Sequence, residues 1–202
     1  MRARWKLLGL AGVAGVAATG VVVARNRRPQ SDYTPDELRE HRGPAERARS
    51  EGHWIGNHTL THPRPLGEAP DPVAEISATQ RELASLAHPE RLFRPSGAGG
   101  AIEPGLLSPA AVDTLVAGAY TCVLWNSVPG DWESSSWVET ALDDIASRDW
   151  TLLVLHDVAG ACADRLDEFL TRVDASIRQD FPPDCVPIVR GRVVGELGGL
   201  VA

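Results

Sequence analysis

Gly52-His53-Trp54-Ile55-Gly56-Asn57-His58-Thr59-Leu60-Thr61-His62-Pro63 is the stretch around which this chain of 202 residues is organised. His58 and His62 stand at i and i+4. On one turn of helix or in a tight loop, two such imidazoles point the same way and can share a metal ion. The plainer alternative, two ordinary polar surface histidines, is the commoner fate of an isolated pair at this spacing. The context weighs against it. Trp54-Ile55 reads as the end of a short strand and Pro63 stops any helix at once, so both rings fall at a strand's C-terminal edge, where α/β folds build their sites.

Working outward from that edge, strands and helices alternate. Ala45 to Ser50 is a short helical piece leading into the histidines, after Gly43-Pro44. Asp71-Pro72 opens a longer helix with Val73, Ile76, Leu83 and Leu86 on or near one face, ending near His88-Pro89. Leu92-Phe93 is a short strand that delivers the loop Arg94-Pro95-Ser96-Gly97-Ala98-Gly99-Gly100. Ser108-Pro109 starts the next helix, and Tyr120 to Trp125 is a strand by its β-branched and aromatic content. That strand runs into Asn126 to Trp132, again a loop. A helix from about Ser136 to Ala146 precedes the strongest strand pattern, Trp150 to Leu155, which ends at His156-Asp157. A helix over Asp164 to Ile177 and a strand over Val186 to Val189 close the chain. Strand and helix in repetition predict a parallel sheet or barrel, with strand C-termini on one face. That face gathers His58, His62, Arg94, Asp131 with Trp132, and His156. Singly, Arg94 and Asp131 read equally well as surface charges and His156 as an edge histidine; five polar residues at successive strand ends are harder to dismiss.

The first 28 residues read differently. Leu7 to Ala24 carries no charge, with Arg2, Arg4 and Lys6 before it and Arg25, Arg27 and Arg28 after it. Eighteen apolar residues with a basic flank suit either a signal peptide or a hydrophobic membrane-anchoring helix, and the expectation is an uncleaved anchor with an extracytoplasmic, membrane-anchored or secreted domain. Gly9, Gly12 and Gly15 do not have the spacing of a phosphate-binding loop. Residues 29–43 make a linker and a remnant helix opened by Thr34-Pro35-Asp36-Glu37, and 44–202 form the main domain. With six of the 20 basic residues in the leader, the remainder sets 14 basic side chains against 27 acidic ones. Such a surface repels nucleic acid, which excludes that class of partner. Cys122, Cys162 and Cys185 include no Cys-x2-Cys pair, so a thiolate zinc site is not expected; two of the three can pair in an exported protein.

These motifs, in this order, resemble the polysaccharide deacetylases of carbohydrate esterase family 4, the group with the NodB-type chitooligosaccharide deacetylase domain, over roughly Pro44 to Ala202. Gly52 to Pro63 is similar to the family's metal-binding motif, Arg94-Pro95-Ser96-Gly97 to its arginine motif, Asn126 to Trp132 to its tryptophan-ended acidic motif, and Leu153-Val154-Leu155-His156 to its closing histidine motif. The resemblance implies a distorted (β/α) barrel and metal-dependent removal of acetyl groups from an N-acetylated or O-acetylated polysaccharide such as chitooligosaccharide or peptidoglycan. It implies zinc, or a similar divalent metal, on His58 and His62, His156 as the general acid, and Arg94 and Asp131 as orienting groups. Trp132 would wall the pocket and pack against the sugar. An amide hydrolase does need a Lewis acid, a base for water and an acid for a poor leaving group.

The sequence also departs from that pattern. The family's Thr-Phe-Asp-Asp-Gly-Pro motif, source of its general base and third metal ligand, has no counterpart: no Asp-Asp pair precedes His58. An upstream coding segment in the same frame is one way it would be supplied. Ser96 and Gly97 replace the proline and aromatic residue usual after Arg94-Pro95, and Val128 stands where an aspartate is common. Loss of a base removes about 10²- to 10⁴-fold in rate, and a catalytic zinc normally keeps three protein ligands. The expectation is an incomplete barrel with impaired hydrolysis; the alternative is a catalytically inactive, membrane-tethered glycan-binding pseudoenzyme.

Overall fold

The short strand Trp54–Ile55 and its neighbours form the frame of the fold. The structure, a computed structural model, describes residues 15–16, 21–23, 42–97, 99–156 and 162–202. Strands β1 (Gly15–Val16), β2 (Val21–Val23) and β3 (Trp54–Ile55) make one sheet in the order β1-β2-β3, with β1 antiparallel and β3 parallel to β2. A second sheet runs β4 (Leu92–Phe93), β5 (Thr121–Cys122), β6 (Ile188–Val189), β7 (Arg192–Val193). A parallel bridge between Asn57 and Phe93 sets β3 beside β4, and another between Ser127 and Leu153 adds the segment ending at His156. The result is a mixed α/β arrangement around a partial sheet.

The hydrophobic N-terminal helix expected for the leader is not what the described residues form. Residues 15–16 and 21–23 are strands, and Val21 and Val22 register with Trp54 and Ile55. The physical reason lies in the residues: Val21-Val22-Val23 is a β-branched run that favours a pleated strand, while glycines at 9, 12, 15 and 20 weaken a helix. Among the described residues, no helix is long and apolar enough to cross a membrane. The rest of the leader, and the helix expected to open at Thr34, lie outside the described residues.

Capping explains the helices. α1 (Arg42–Ser50) contains Gly43-Pro44 in its first turn rather than starting after it. α2 (Pro72–Leu83) is capped by Asp71, whose side chain accepts from Ala74 N, and has Pro72 at its first position; α3 (Pro109–Ala117) is capped in the same way by Ser108. α4 (Trp137–Ala146) and α5 (Leu166–Arg172) follow. α5 is shorter than the pattern predicts: Ile177, expected to end that helix, lies outside it and is exposed. The Trp150 to Leu155 pattern makes only the bridge at Leu153, with its backbone held by Asn126: Leu152 N donates to Asn126 Oδ1 at 2.7 Å and Asn126 Nδ2 to Trp150 O at 3.0 Å.

The all-parallel expectation fails at the C-terminal end. β5 and β6 are antiparallel, and β6 turns into β7 through Arg190-Gly191, both at positive φ (47° and 76°), as a type I′ hairpin turn requires. One core, built on Leu66, Ile76, Phe93, Leu107, Leu115 and Ile188, underlies the strand edge that carries the histidines; a second joins Trp137 of α4 to Phe169 of α5 over Leu153 and Leu155. Cys122 lies in the first core, Cys162 in the second and Cys185 in a third cluster with Leu92, Val123 and Leu152; all three are buried and none forms a disulfide.

Candidate active site

Asn57 ends its strand by pairing with the next. Asn57 N donates to Leu92 O at 2.8 Å and Arg94 N to Asn57 O at 2.9 Å, so His58 and Arg94 leave adjacent strand ends side by side. The histidines are not on a helix. Thr59 and His62 both have left-handed φ, 69° and 57°, and this double turn brings the two rings to 4.9 Å between centroids, edge to face. The strained loop has a clamp that the sequence reading did not identify. Glu75 of α2 accepts from Leu60 N and Thr61 N at 2.8 Å each and from Thr61 Oγ1 at 2.7 Å. The Asn57 side chain, 1% exposed, adds a second tie, donating to Ile76 O and accepting from Thr59 N. Both are ordinary polar residues in the sequence; only the fold puts α2 under the loop.

The other side of the site is built from Asp131 and His156. Asp131 is 1% exposed, and its carboxylate accepts twice from one residue: from His156 N at 2.6 Å through Oδ2, and from His156 Nδ1 at 2.8 Å through Oδ1. A carboxylate oxygen accepts, so Nδ1 carries the proton of this bond. Trp132 packs edge to face on His156, with ring centroids 4.6 Å apart. These segments share an edge because Ser127 pairs with Leu153 and Val154 N donates to Ser127 O; Ser127 is itself fixed by donating to Asp144 of α4 at 2.6 Å.

A cavity of about 180 Å³ opens between the halves, lined by His58, His62, Arg64, Arg94, Trp132 and His156, with Trp125 and Val128 among its walls. The site residues named from the sequence are therefore brought together, except that Asp131 lies behind His156 rather than on the wall. Arg64 was not foreseen. Ser96 and Gly97, where the family has a proline and an aromatic residue, find a local cause: the Trp125 ring fills the space, and a Cβ on Gly97 would meet it at 3.2 Å. Trp125 Nε1 also donates to Gly100 O at 2.7 Å, which ties the arginine loop down.

For a divalent metal the described donors are a poor fit. His58 Nδ1 is engaged by Arg94 O at 2.8 Å, which leaves Nε2 for a metal; Arg94 Nη2 stands 3.3 Å from that atom. A guanidinium carries only N–H donors and a fixed positive charge, so it takes the lone pair a cation would need and repels the cation. Among the described residues, no three His, Cys, Asp or Glu side chains group as a metal set, and the cavity wall includes no carboxylate.

This fold and this wall define a class: mixed α/β domains with a cavity at the strand ends. The sequence matches the polysaccharide deacetylase family model over residues 7–102, just under half of the chain. The match begins inside the apolar N-terminal segment, ahead of Pro44. Among solved structures, the fold is similar to that of a family 4 pseudoenzyme from Bacillus anthracis (TM-score 0.52, 18% identity, covering 67% of this chain and 46% of that one). It is similar to a polysaccharide deacetylase from Bacillus cereus (0.54, 18%, covering 77% and 80%) and to a family 4 carbohydrate esterase from Streptomyces lividans determined with acetate (0.52, 21%, covering 68% and 71%). The chain thus spans about half the length of the pseudoenzyme. Members of this family are generally metal-dependent and act on polysaccharides.

Proposed function

We propose that this chain is a glycan-binding domain of the polysaccharide deacetylase family whose hydrolytic centre is impaired. The observation that carries the proposal is the 3.3 Å approach of Arg94 Nη2 to His58 Nε2, which gives the metal-facing atom of the first histidine to a guanidinium. Trp132 offers an aromatic face to an apolar sugar face, and His156, held by Asp131, offers a ring nitrogen at the same wall. The zinc implied by family likeness is not part of the proposed chemistry, because the described donors do not complete its set. Export of the domain is proposed from the basic-flanked apolar segment alone.

One feature favours residual hydrolysis as a second reading. The Asp131–His156 pair is intact and buried, the arrangement in which a general acid for an amine leaving group is held in orientation. With no carboxylate among the described wall residues, a water nucleophile would lack the carboxylate base that the family pattern supplies. The test is turnover of acetylated chitooligosaccharide and of peptidoglycan fragments with added zinc or cobalt. The expected result is binding without measurable acetate release, unchanged by a chelator. Turnover at an ordinary enzyme rate of about 1 to 10³ s⁻¹ would overturn the proposal.

A further inference from the structure

Polar side chains also gather at the other end of the second sheet. Arg91 and Tyr120 stand immediately before β4 and β5, on the opposite edge from Arg94, and Thr121 N donates to Arg91 O at 3.2 Å. Together with the last turn of α2 they border a cavity of about 500 Å³, whose lining includes Gln80, Arg81, His88, Arg91 and Tyr120. Tyr120 is only 4% exposed, yet among the described residues its hydroxyl makes no hydrogen bond and is not fully enclosed, so its open part faces this cavity. A polar group so buried is costly to leave without a partner. What stands around it is positive. The Arg91 guanidinium lies over the Tyr120 ring, with Cζ 5.3 Å from the centroid, and its Nη1 is fixed by donating to Gly118 O at 2.6 Å. Burial pushes the Tyr120 phenol up, and Arg91 and Arg81 both act against that shift, so both positive charges bear on this one side chain. His88 Nδ1 accepts from Glu90 N at 3.3 Å and burial holds the ring below its ordinary value, so the neutral imidazole keeps its N–H at Nε2. Glu90, the acid beside it, is paired with Arg190.

We propose that this cavity is a second ligand site, which takes a phosphate group through Arg81, Arg91 and the Tyr120 hydroxyl. The class of ligand follows from the donors. A guanidinium only donates, and it presents paired N–H groups to an oxyanion. A phosphate offers three acceptor oxygens and up to two negative charges, enough for two guanidiniums and a phenol at once; a carboxylate has two oxygens and one charge. The volume lies within the range of about 300 to 1,000 Å³ usual for small-molecule sites. It has room for an organic molecule attached to the phosphate as well as for the free ion.

The experiment is calorimetry on the full chain at constant ionic strength, with four probes: glucose 6-phosphate, inorganic phosphate, glucose and sodium acetate. The expected result is that both phosphates bind at least tenfold tighter than acetate. Arg81→Met should weaken both by about tenfold; Arg81 is exposed and makes no hydrogen bond or ion pair among the described residues, so the change leaves folding intact. Tyr120→Phe removes only the hydroxyl and should weaken both about fivefold with no loss in Tm. Tighter binding of the ester than of the free ion identifies an organic phosphate as the ligand, and equal affinity identifies phosphate itself; either supports the site. Phosphates no tighter than acetate, or glucose as tight as its phosphate, would overturn the proposal. So would phosphate affinity unchanged in both variants, which would place the anion elsewhere on the chain.

Discussion

Replacing Asp131 by alanine tests whether one side of the site is held together by the Asp131–His156 pair. The carboxylate is 1% exposed and accepts two hydrogen bonds, from the backbone and the ring of His156. Hydrogen bonds to a charged group contribute about 1.5 to 3 kcal/mol each. Removing the carboxylate also removes its own burial cost, which offsets part of that loss. The expected net destabilisation is therefore about 3 kcal/mol, the low end of the range for breaking a buried pair. For a chain of this size that is a drop in Tm of roughly 6 to 12 °C. His156→Ala loses the ring bond and the Trp132 contact but keeps the backbone bond to Asp131, so it should cost less than Asp131→Ala, and the two changes should be coupled by about 1 to 2 kcal/mol in a double-mutant cycle. Urea unfolding with unchanged m-values is the assay. A coupling below about 0.5 kcal/mol, the error of additivity for independent sites, would refute the claim that Asp131 holds the His156 ring. Equal costs for the two single variants would refute the role given to the backbone bond.

Three further predictions address other parts of the fold. Glu75→Ala releases three hydrogen bonds from the histidine loop, and at this half-buried position the cost should be about 1 to 3 kcal/mol; amide exchange at Leu60 and Thr61 should speed up, and unchanged exchange there would remove the clamp. Burial pushes the Cys122 thiol up to about 12, so at pH 8 about one molecule in ten thousand is thiolate; iodoacetamide should modify Cys122 only on unfolding, and rapid native labelling would contradict its burial. Hydrogen bonds from Arg172, then from Arg165, hold the Glu139 carboxyl down at about 2, against an ordinary value near 4.5. A folded value below the unfolded one adds stability above pH 4.5 that is lost as pH falls towards about 2. Replacing both arginines with methionine should flatten the pH dependence of Tm across that window, and an unaltered slope would remove the assignment.

What the sequence disclosed and what it concealed divide along physical lines. α2 and α3 were legible because Asp71-Pro72 and Ser108-Pro109 are cap-and-proline starts, set by groups a few residues apart. The cavity wall was legible because strand ends in alternating folds share a face, so His58, Arg94, Trp132 and His156 follow from order alone. The apolar leader misled: composition suits both a membrane helix and a β-branched strand, and only pairing with Trp54–Ile55 decides for Val21–Val23. The β6–β7 hairpin was missed although Arg190-Gly191 sits between Ile188-Val189 and Arg192-Val193; its sign was Gly191, whose added Cβ would stand 2.4 Å from Val116 O. Glu75, Asn57 and Arg64 could not be singled out, since their partners lie across the fold rather than along the chain. The guanidinium facing His58 Nε2 was equally hidden, because it depends on a side-chain direction.

The Asn57–Phe93 and Ser127–Leu153 bridges join segments far apart in the chain, and each carries one side of the cavity. No early, locally folded piece can therefore present the pocket. Its appearance waits on non-local pairing, which forms slowly. A molecule that occupies it recognises only finished chains and draws the population towards them by mass action. In a cell, such a ligand would act as a chaperone of the native state, whether or not any bond is ever cut.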